Sequence, residues 1–221
     1  MRLAWMVLLA VAAAAQVSAQ TAERLPWFAV DLQGAWVGLP TAEGWVPAVP
    51  ADTPLPARGW GLAGGATVYP LKLGIMTLGL GVSMHTGKST STALTSTTTI
   101  GTIDTTVPTT TVVTTQITSL LPQVSINFGH QLGWSYLSVG YGRSKVASSA
   151  DAFRTTLAQT TPEAWNAAIN FGGGARWFMK PHLGASFDVR FTKLGSRAAT
   201  ETLPAAKRTQ MVTISVGISI Q

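Results

Sequence analysis

Apolar and polar positions alternate with a period of two along most of the chain beyond residue 27. The clearest run is the last one, where Val212, Ile214, Val216, Ile218 and Ile220 alternate with Thr213, Ser215, Gly217 and Ser219. One greasy face and one small or polar face describe a strand between two unlike environments. Seven earlier segments repeat the pattern at roughly the ~9–11 residues a tilted membrane strand needs. In Phe28–Leu39, Phe28, Val30, Leu32 and Trp36 oppose Asp31, Gln33 and Ala35. Gly59–Tyr69 sets Trp60, Leu62, Ala66 and Val68 against Gly61, Ala63, Gly65 and Thr67. Gly74–His85 sets Met76, Leu78, Leu80, Val82 and Met84 against Thr77, Gly79, Gly81 and Ser83. Gln116–Gly129 is clearest at Val124, Ile126 and Phe128, and Pro122 weakens its upper part because proline cannot donate to a ladder. Ser135–Arg143, Ala164–Trp177 and Leu183–Lys193 complete the set.

The connections give an independent signal. Segments 40–58, 86–115, 144–163 and 194–206 are long and polar, whereas Pro70–Leu73, His130–Gly133 and Phe178–His182 are short. Strict alternation of long and short links is the mark of extracellular loops and periplasmic turns, and an even strand count leaves both chain ends on one side. The expected fold is all-β: an eight-stranded antiparallel up-and-down transmembrane barrel. A soluble sandwich or lipocalin-like barrel is the competing architecture.

Residues 1–19 read as a cleaved export signal, with Arg2 as the positive region, Leu3 to Ala15 as the apolar region, and Val17-Ser18-Ala19 as the small-residue site before Gln20. Residues 20–221, about 200 residues, suit one barrel domain. The chain has no cysteine, which excludes a lipid-modified cysteine anchor and disulfides alike. Only 11% of residues are charged, yet no later segment offers an apolar run long enough for a helical span. The net charge of +6 does not point to nucleic acid, since an exported chain has little access to it and Lys207-Arg208 is the longest basic cluster. A basic exterior facing anionic lipopolysaccharide, or a solvated surface, remains.

The stretches Phe171-Gly-Gly-Gly-Ala-Arg-Trp-Phe178, Lys180-Pro-His182 and Leu183-Gly-Ala-Ser-Phe-Asp-Val-Arg190, with the alternating last strand, make the chain resemble the small bacterial outer-membrane barrels of the OmpA/OmpX type. The resemblance covers nearly all of the chain after the export signal. It implies an outer-membrane location, partnership with outer-membrane lipid, lipopolysaccharide and the barrel insertion machinery, and a monomer. Members generally finish on an aromatic residue, whereas this chain finishes on Ile220-Gln221.

An eight-stranded barrel has an interior only wide enough for side chains. The inward set expected to form a polar lumen network is Asp31, Gln33, Asn127, Asn166, Asn170, Asp188 and Arg190. Buried charge must pair, so Asp31 or Asp188 is the expected partner of Arg190. Hairpin geometry about the 178–182 turn should bring Arg190 near Asn170 and Asp188 beside Gly172. Such a network either fixes register or forms a gate or proton path. The inward glycines Gly79, Gly81, Gly140, Gly142, Gly172, Gly174 and Gly217 suit close approach and curvature, or a narrow cavity. Trp27, Trp36, Trp60, Trp134, Trp165 and Trp177 sit near strand ends and read as interfacial girdles.

The threonine-rich connection, about 86–115, mixes Thr with Ile100, Ile103, Val107, Val112 and Val113. Those residue types favour strands, so it either extends its flanking strands as a protruding hairpin able to add a partner's strand, or is a disordered or glycosylated loop. Catalysis has little to build on. A lipid A-hydrolysing barrel needs a serine with a histidine base oriented by a carboxylate. Of three histidines, His130 and His182 fall in periplasmic turns, and His85 has Ser83 on its face but no carboxylate nearby in sequence. No metal-ligand cluster or nucleophile elbow is present. The expectation is no enzyme, no catalytic residue, no metal and no cofactor. The leading role is structural or adhesive through the surface loops, with a narrow channel for small or apolar solutes as the alternative and a lipid A-modifying enzyme as the weaker one.

Overall fold

The computed structural model describes residues 25–221 apart from 48, 50–52, 97–107, 131, 153–158 and 200–203, so the export signal lies outside the described residues. Eight strands follow in chain order: β1 Phe28–Gly38, β2 Arg58–Leu73, β3 Met76–Ser96, β4 Pro108–His130, β5 Gly133–Ala152, β6 Gln159–Lys180, β7 Leu183–Leu194 and β8 Thr209–Ile220. Each pairs antiparallel with its neighbour, and β8 returns to β1 through Val30↔Ile220 to Val37↔Thr213, closing the barrel. The alternation dictates this outcome. Every strand has one apolar face, and closure buries the other face while leaving no sheet edge around the ring.

The outer wall carries the apolar face. Leu62, Met84, Leu137, Val139, Tyr141 and Val216 are each more than half exposed, and Val30, Leu80, Val124, Ile126, Ile169 and Ile218 continue the same band around all sides. A continuous apolar belt on a closed barrel is a lipid-facing surface, because water would make such a wall aggregate. The chain folds as a membrane-spanning β-barrel.

Strand lengths are unequal. β1, β7 and β8 have 11 to 12 residues, whereas β3 to β6 have 20 to 23. In the segment 86–115, expected either as an extension of its flanking strands or as a disordered or glycosylated loop, the described residues form the extension: β3 and β4 stay paired from Thr86↔Thr118 to Ser96↔Pro108. The hydroxyl and β-branched residues there favour the extended chain. Likewise 144–152 belongs to β5 rather than to a connection. β2 pairs with β3 only as far as Trp60↔Lys88, and β7 pairs with β6 only as far as Ala168↔Leu194. Above those points β3–β6 rise as a four-stranded sheet with no strand on either flank among the described residues. The ladder between β4 and β5 skips Leu121 and Pro122, where the proline has no N–H to give.

The β6–β7 hairpin corrects one expectation. Arg190 pairs with Gly172, Asp188 with Gly174, and Asn170 with Thr192. The strands run on to Lys180↔Leu183 with an irregularity after Phe178, so the turn is tighter than 178–182 and the register moves by two.

Inside, the barrel is layered. At the end with the short turns, Ala29, Trp134, Tyr136 and Phe178 form an apolar cluster joined by Leu25 and Tyr69. At the loop end, Ala35, Val37, Leu39, Ile117, Leu121, Val146, Leu194 and Met211 form a second, completed from above by Trp45 and Ala206. Polar and charged side chains fill the layer between.

Candidate functional site

The polar layer is where the inward faces of the eight strands meet. Two ion pairs organise it. Arg176 donates from Nε to Asp31 Oδ1 at 2.9 Å and from Nη2 to Oδ2 at 2.5 Å, a bidentate contact, and its Nη1 donates to the Tyr69 hydroxyl at 3.2 Å. The guanidinium also lies over the Tyr136 ring at 4.4 Å from its centroid. Arg190 donates from Nη2 to Asp188 Oδ2 at 2.8 Å and from Nη1 to Gln123 Oε1 at 2.5 Å. The Tyr136 hydroxyl donates to the same Asp188 oxygen. Tyr136 thus stands between the two pairs, one face to Arg176 and its hydroxyl to Asp188. Two carboxylates and two guanidiniums leave the layer with no net charge, which is what a low-dielectric interior requires.

Around these pairs the neutral groups form separate clusters. Gln33 donates from Nε2 to Ser186 Oγ at 2.9 Å and accepts on Oε1 from Ser215 Oγ at 2.7 Å, stitching β1, β7 and β8. Asn127 donates from Nδ2 to Thr77 O and Ser125 Oγ, each at 3.0 Å. Asn170 Nδ2 and Ser83 Oγ lie at 3.4 Å, and Ser83 donates to Leu121 O at 3.3 Å. Asn166 points inward but donates to Ala164 O of its own strand, so it does not join the layer. Arg190 takes Asp188, and Asp31 takes Arg176. Sequence reasoning left Arg176 out, although its even position in β6, in phase with Asn166 and Asn170, marks it as inward.

The glycines facing this layer make room for side chains. A Cβ on Gly174 would stand 2.8 Å from the Tyr136 hydroxyl, and one on Gly79 would stand 2.4 Å from Ser125 Oγ. The space left over is a cavity of about 20 Å³ bordered by Asp31, Gln33, Ser83, His85, Asp188 and Thr213. That is room for about one water molecule.

His85 corrects a placement. It was expected at the extracellular end of its strand, but β3 runs eleven residues beyond it to Ser96, and its ring is 2% exposed inside the lumen. The wall separates it from membrane lipid. Its Nε2 has no hydrogen-bond partner among the described residues. Asp188 and Ser83 border the same cavity, yet among the described residues no hydrogen bond or ion pair joins either to His85. His130 and His182 lie at the short turns, where His182 Nδ1 is 3.1 Å from Gln221 O. Among the described residues no group of three His, Cys, Asp or Glu side chains stands close enough to hold a metal.

The tryptophans divide. Trp27, Trp60 and Trp177 are outward and 74%, 76% and 51% exposed, and Trp165 is outward at 49%. Trp36 is also outward, half-buried under the guanidinium of Arg58 at 4.9 Å. Trp134 is a correction: it points inward, 3% exposed, stacked on Phe178 at 5.0 Å. The positive-φ Gly129 and the ladder set by His130↔Gly133 turn it in phase with Tyr136 rather than with Leu137. Trp45, which alternation could not place because it lies in a connection, is the plug of the loop end. It is 1% exposed, donates from Nε1 to Lys207 O at 2.7 Å, and is covered by Arg197 at 5.1 Å. Arg197 in turn donates to Gly44 O at 2.9 Å, clasping the β1–β2 and β7–β8 connections together.

No family model matches the chain, and no curated protein matches it. Solved structures with a similar course of the chain include the attachment invasion locus protein Ail of Yersinia pestis, with TM-score 0.45 and 8% identity over 87% of this chain and 96% of that one. Neisserial surface protein A follows with TM-score 0.42 and 10% identity over 88% and 97%. The outer membrane protease OmpT of Escherichia coli has TM-score 0.47 and 9% identity over 74% of this chain, which spans 64% of the protease. Likeness at this level assigns no activity. The class, a membrane-spanning eight-stranded barrel with a filled lumen, rests on the closed ladder and the apolar wall.

Proposed function

We propose that this protein is a non-catalytic barrel of the bacterial outer membrane that acts by surface interaction. The observation that carries the reading is the open sheet formed by β3–β6 above the point where β2 and β7 stop. Its outward face is mainly polar: Lys88, Thr90 and Thr92 on β3, Thr110, Thr114 and Gln116 on β4, and Lys145 and Ser149 on β5, with Val112 and Ala147 among them. Thr90 and Thr114 hydroxyls meet across the strands at 3.1 Å. The inward face is buried at Val113, Thr115, Ile117, Ser144 and Ser148, where loops from the other side of the barrel reach it, as when Ser91 Oγ donates to Pro54 O at 2.5 Å. A sheet raised above the membrane, with no strand on either flank among the described residues, suits recognition by strand addition or by its hydroxyl-rich face. An export signal at residues 1–19 and the outer-membrane location belong to the same reading.

A filled lumen supports a structural barrel over a conducting one. Both ends are closed by apolar clusters, and the chamber between them holds about 20 Å³.

The test shortens the raised hairpin. Residues 89–115 are replaced by a two-residue turn, and cells displaying either form are scored for adherence to host-cell and matrix-coated surfaces. Adherence should be lost while the heat-dependent gel shift of the folded barrel is kept. Equal adherence with and without the hairpin overturns the reading.

A further inference from the structure

Three buried side chains that share one chamber in the lumen keep a polar atom without a partner. They are His85 on β3, Asp188 on β7 and Thr213 on β8, which are 2%, 3% and 4% exposed. Among the described residues, His85 Nε2, Asp188 Oδ1 and Thr213 Oγ1 have no hydrogen-bond partner. All three residues border the cavity of about 20 Å³. In the ring β3 stands opposite β7, so the three face one another across the barrel rather than along one wall. Orphaned polar atoms are costly in a low-dielectric interior, and three around one chamber define what relieves them. Asp188 Oδ1 can only accept, while its other oxygen already takes Arg190 and Tyr136. His85 Nε2 accepts in one tautomer and donates in the other, and the Thr213 hydroxyl does both.

We propose that this chamber is a binding site for a single water molecule that bridges His85, Asp188 and Thr213 across the barrel. One water donates to Asp188 Oδ1 and forms one bond each with His85 Nε2 and the Thr213 hydroxyl, three in all, the usual number for a buried water. The volume admits nothing much larger. An anion would face the carboxylates of Asp31 and Asp188, which border the same space. A cation would add charge to a lumen in which Asp31 and Asp188 already cancel Arg176 and Arg190. The water acts as a strut. Arg176 joins β6 to β1 and Arg190 joins β7 to β4, and the water ties β3 to β7 and β8. It gives His85 a structural role as the anchor of that strut. Apolar clusters close the lumen above and below, so a water held there leaves slowly. The site is independent of the raised sheet and of the surface contact assigned to it.

The test uses the full-length exported protein with isotope-labelled histidine, refolded into lipid nanodiscs, and reads magnetisation transfer from water to the His85 ring by NMR. His130 and His182, at the short turns, give the reference for fast-exchanging water. Wild type should show a long-lived water at His85 alone. Thr213→Val keeps the shape of the side chain and removes one of the three bonds, so it should shorten the residence of that water roughly tenfold. Ala63→Val, opposite His85 in the β2–β3 ladder, adds methyl groups at the chamber wall. In a hydrated chamber it displaces the water, removes the transfer to His85 and lowers the urea midpoint; in a dry one it gains contacts and raises the midpoint. No transfer to His85 in wild type, or a raised midpoint for Ala63→Val, overturns the site. So does an unchanged residence in Thr213→Val. His85 signals that move when sodium and potassium are replaced by choline would mark the occupant as an ion and overturn it equally.

Discussion

β3–β6 each have a lower half inside the closed barrel and an upper half above it, and the two halves share one ladder but not one chemistry. In the lower half the outward residues are Leu80, Val82, Met84, Val124, Ile126, Val139 and Ile169. In the upper half they are mostly polar, as at Lys88, Thr90, Thr92, Gln116 and Thr114, with Val112 and Ala147 among them. The alternation of inward and outward residues carries through from the lower to the upper half of β3, β4 and β5, because strand pairing depends on backbone hydrogen bonds that threonine and valine support equally well. What changes is the solvent the outward face meets. The inward faces differ as well: below, buried charges must be matched exclusively inside the ring; above, hydroxyl pairs such as Thr115 and Ser148 at 2.9 Å face loops. The membrane boundary is therefore written in side-chain chemistry, and closure is decided by how soon β1, β2, β7 and β8 stop.

If the lower half is where stability is concentrated, removing one member of a lumen ion pair has the largest effect. Asp31→Ala leaves the Arg176 guanidinium buried with the Tyr69 hydroxyl as its one remaining acceptor among the described residues, at a cost of about 3–5 kcal/mol. Urea unfolding in detergent or bilayer should show that loss as an earlier midpoint. The double replacement Asp31→Leu with Arg176→Met should recover most of it, since the unpaired charge is then gone. A single variant as stable as wild type would mean that water reaches the pair.

The tryptophans sharpen the same contrast on the two sides of one wall. Trp134→Ala should cost about 3 kcal/mol, because it opens a void beside Phe178 and Tyr136. Trp177→Ala, half exposed at the membrane interface, should cost about 1 kcal/mol or less. Equal losses in denaturant titration would contradict the inward placement of Trp134. Trp45→Ala falls between, at about 2 kcal/mol, since the clasp of connections around it can partly collapse. It should also speed exchange of lumen amides with heavy water, as the loop-end seal is lost.

The barrel was legible because alternation is a local property: Leu183, Phe187 and Val189 declare their face without reference to any other strand. Asp188 and Arg190 were legible as lumen residues for the same reason. Asp188 was one of the two partners expected for Arg190 and is the one it takes; the strand register was not legible, because it depends on a turn whose tightness around Pro181-His182 the pattern of residues does not state. The two-residue difference pairs Arg190 with Gly172 rather than with Asn170, and Arg176, which meets Asp31 across the barrel, pairs with Ser186. Trp134 misled because proximity to a strand end was used in place of phase. The height of β3–β6 was hidden for a different reason. Threonine runs satisfy the rules for strands and for loops alike, and what decides between them is whether a neighbour is present to pair with.

The upper half yields the smallest effect and for that reason the most discriminating one. Thr114 Oγ1 meets Thr90 Oγ1 at 3.1 Å on an exposed face, where water can replace either partner. Thr114→Ala should therefore change unfolding stability by roughly 0.3 kcal/mol, the scale of an exposed cross-strand pair. If this position instead cost as much as Trp134→Ala, the raised sheet would be part of the same cooperative core as the barrel, and shortening the 89–115 hairpin would unfold the protein. A near-zero change combined with lost adherence on shortening would separate the two halves of the same strands cleanly: the lower one holds the fold, and the upper one carries the contact.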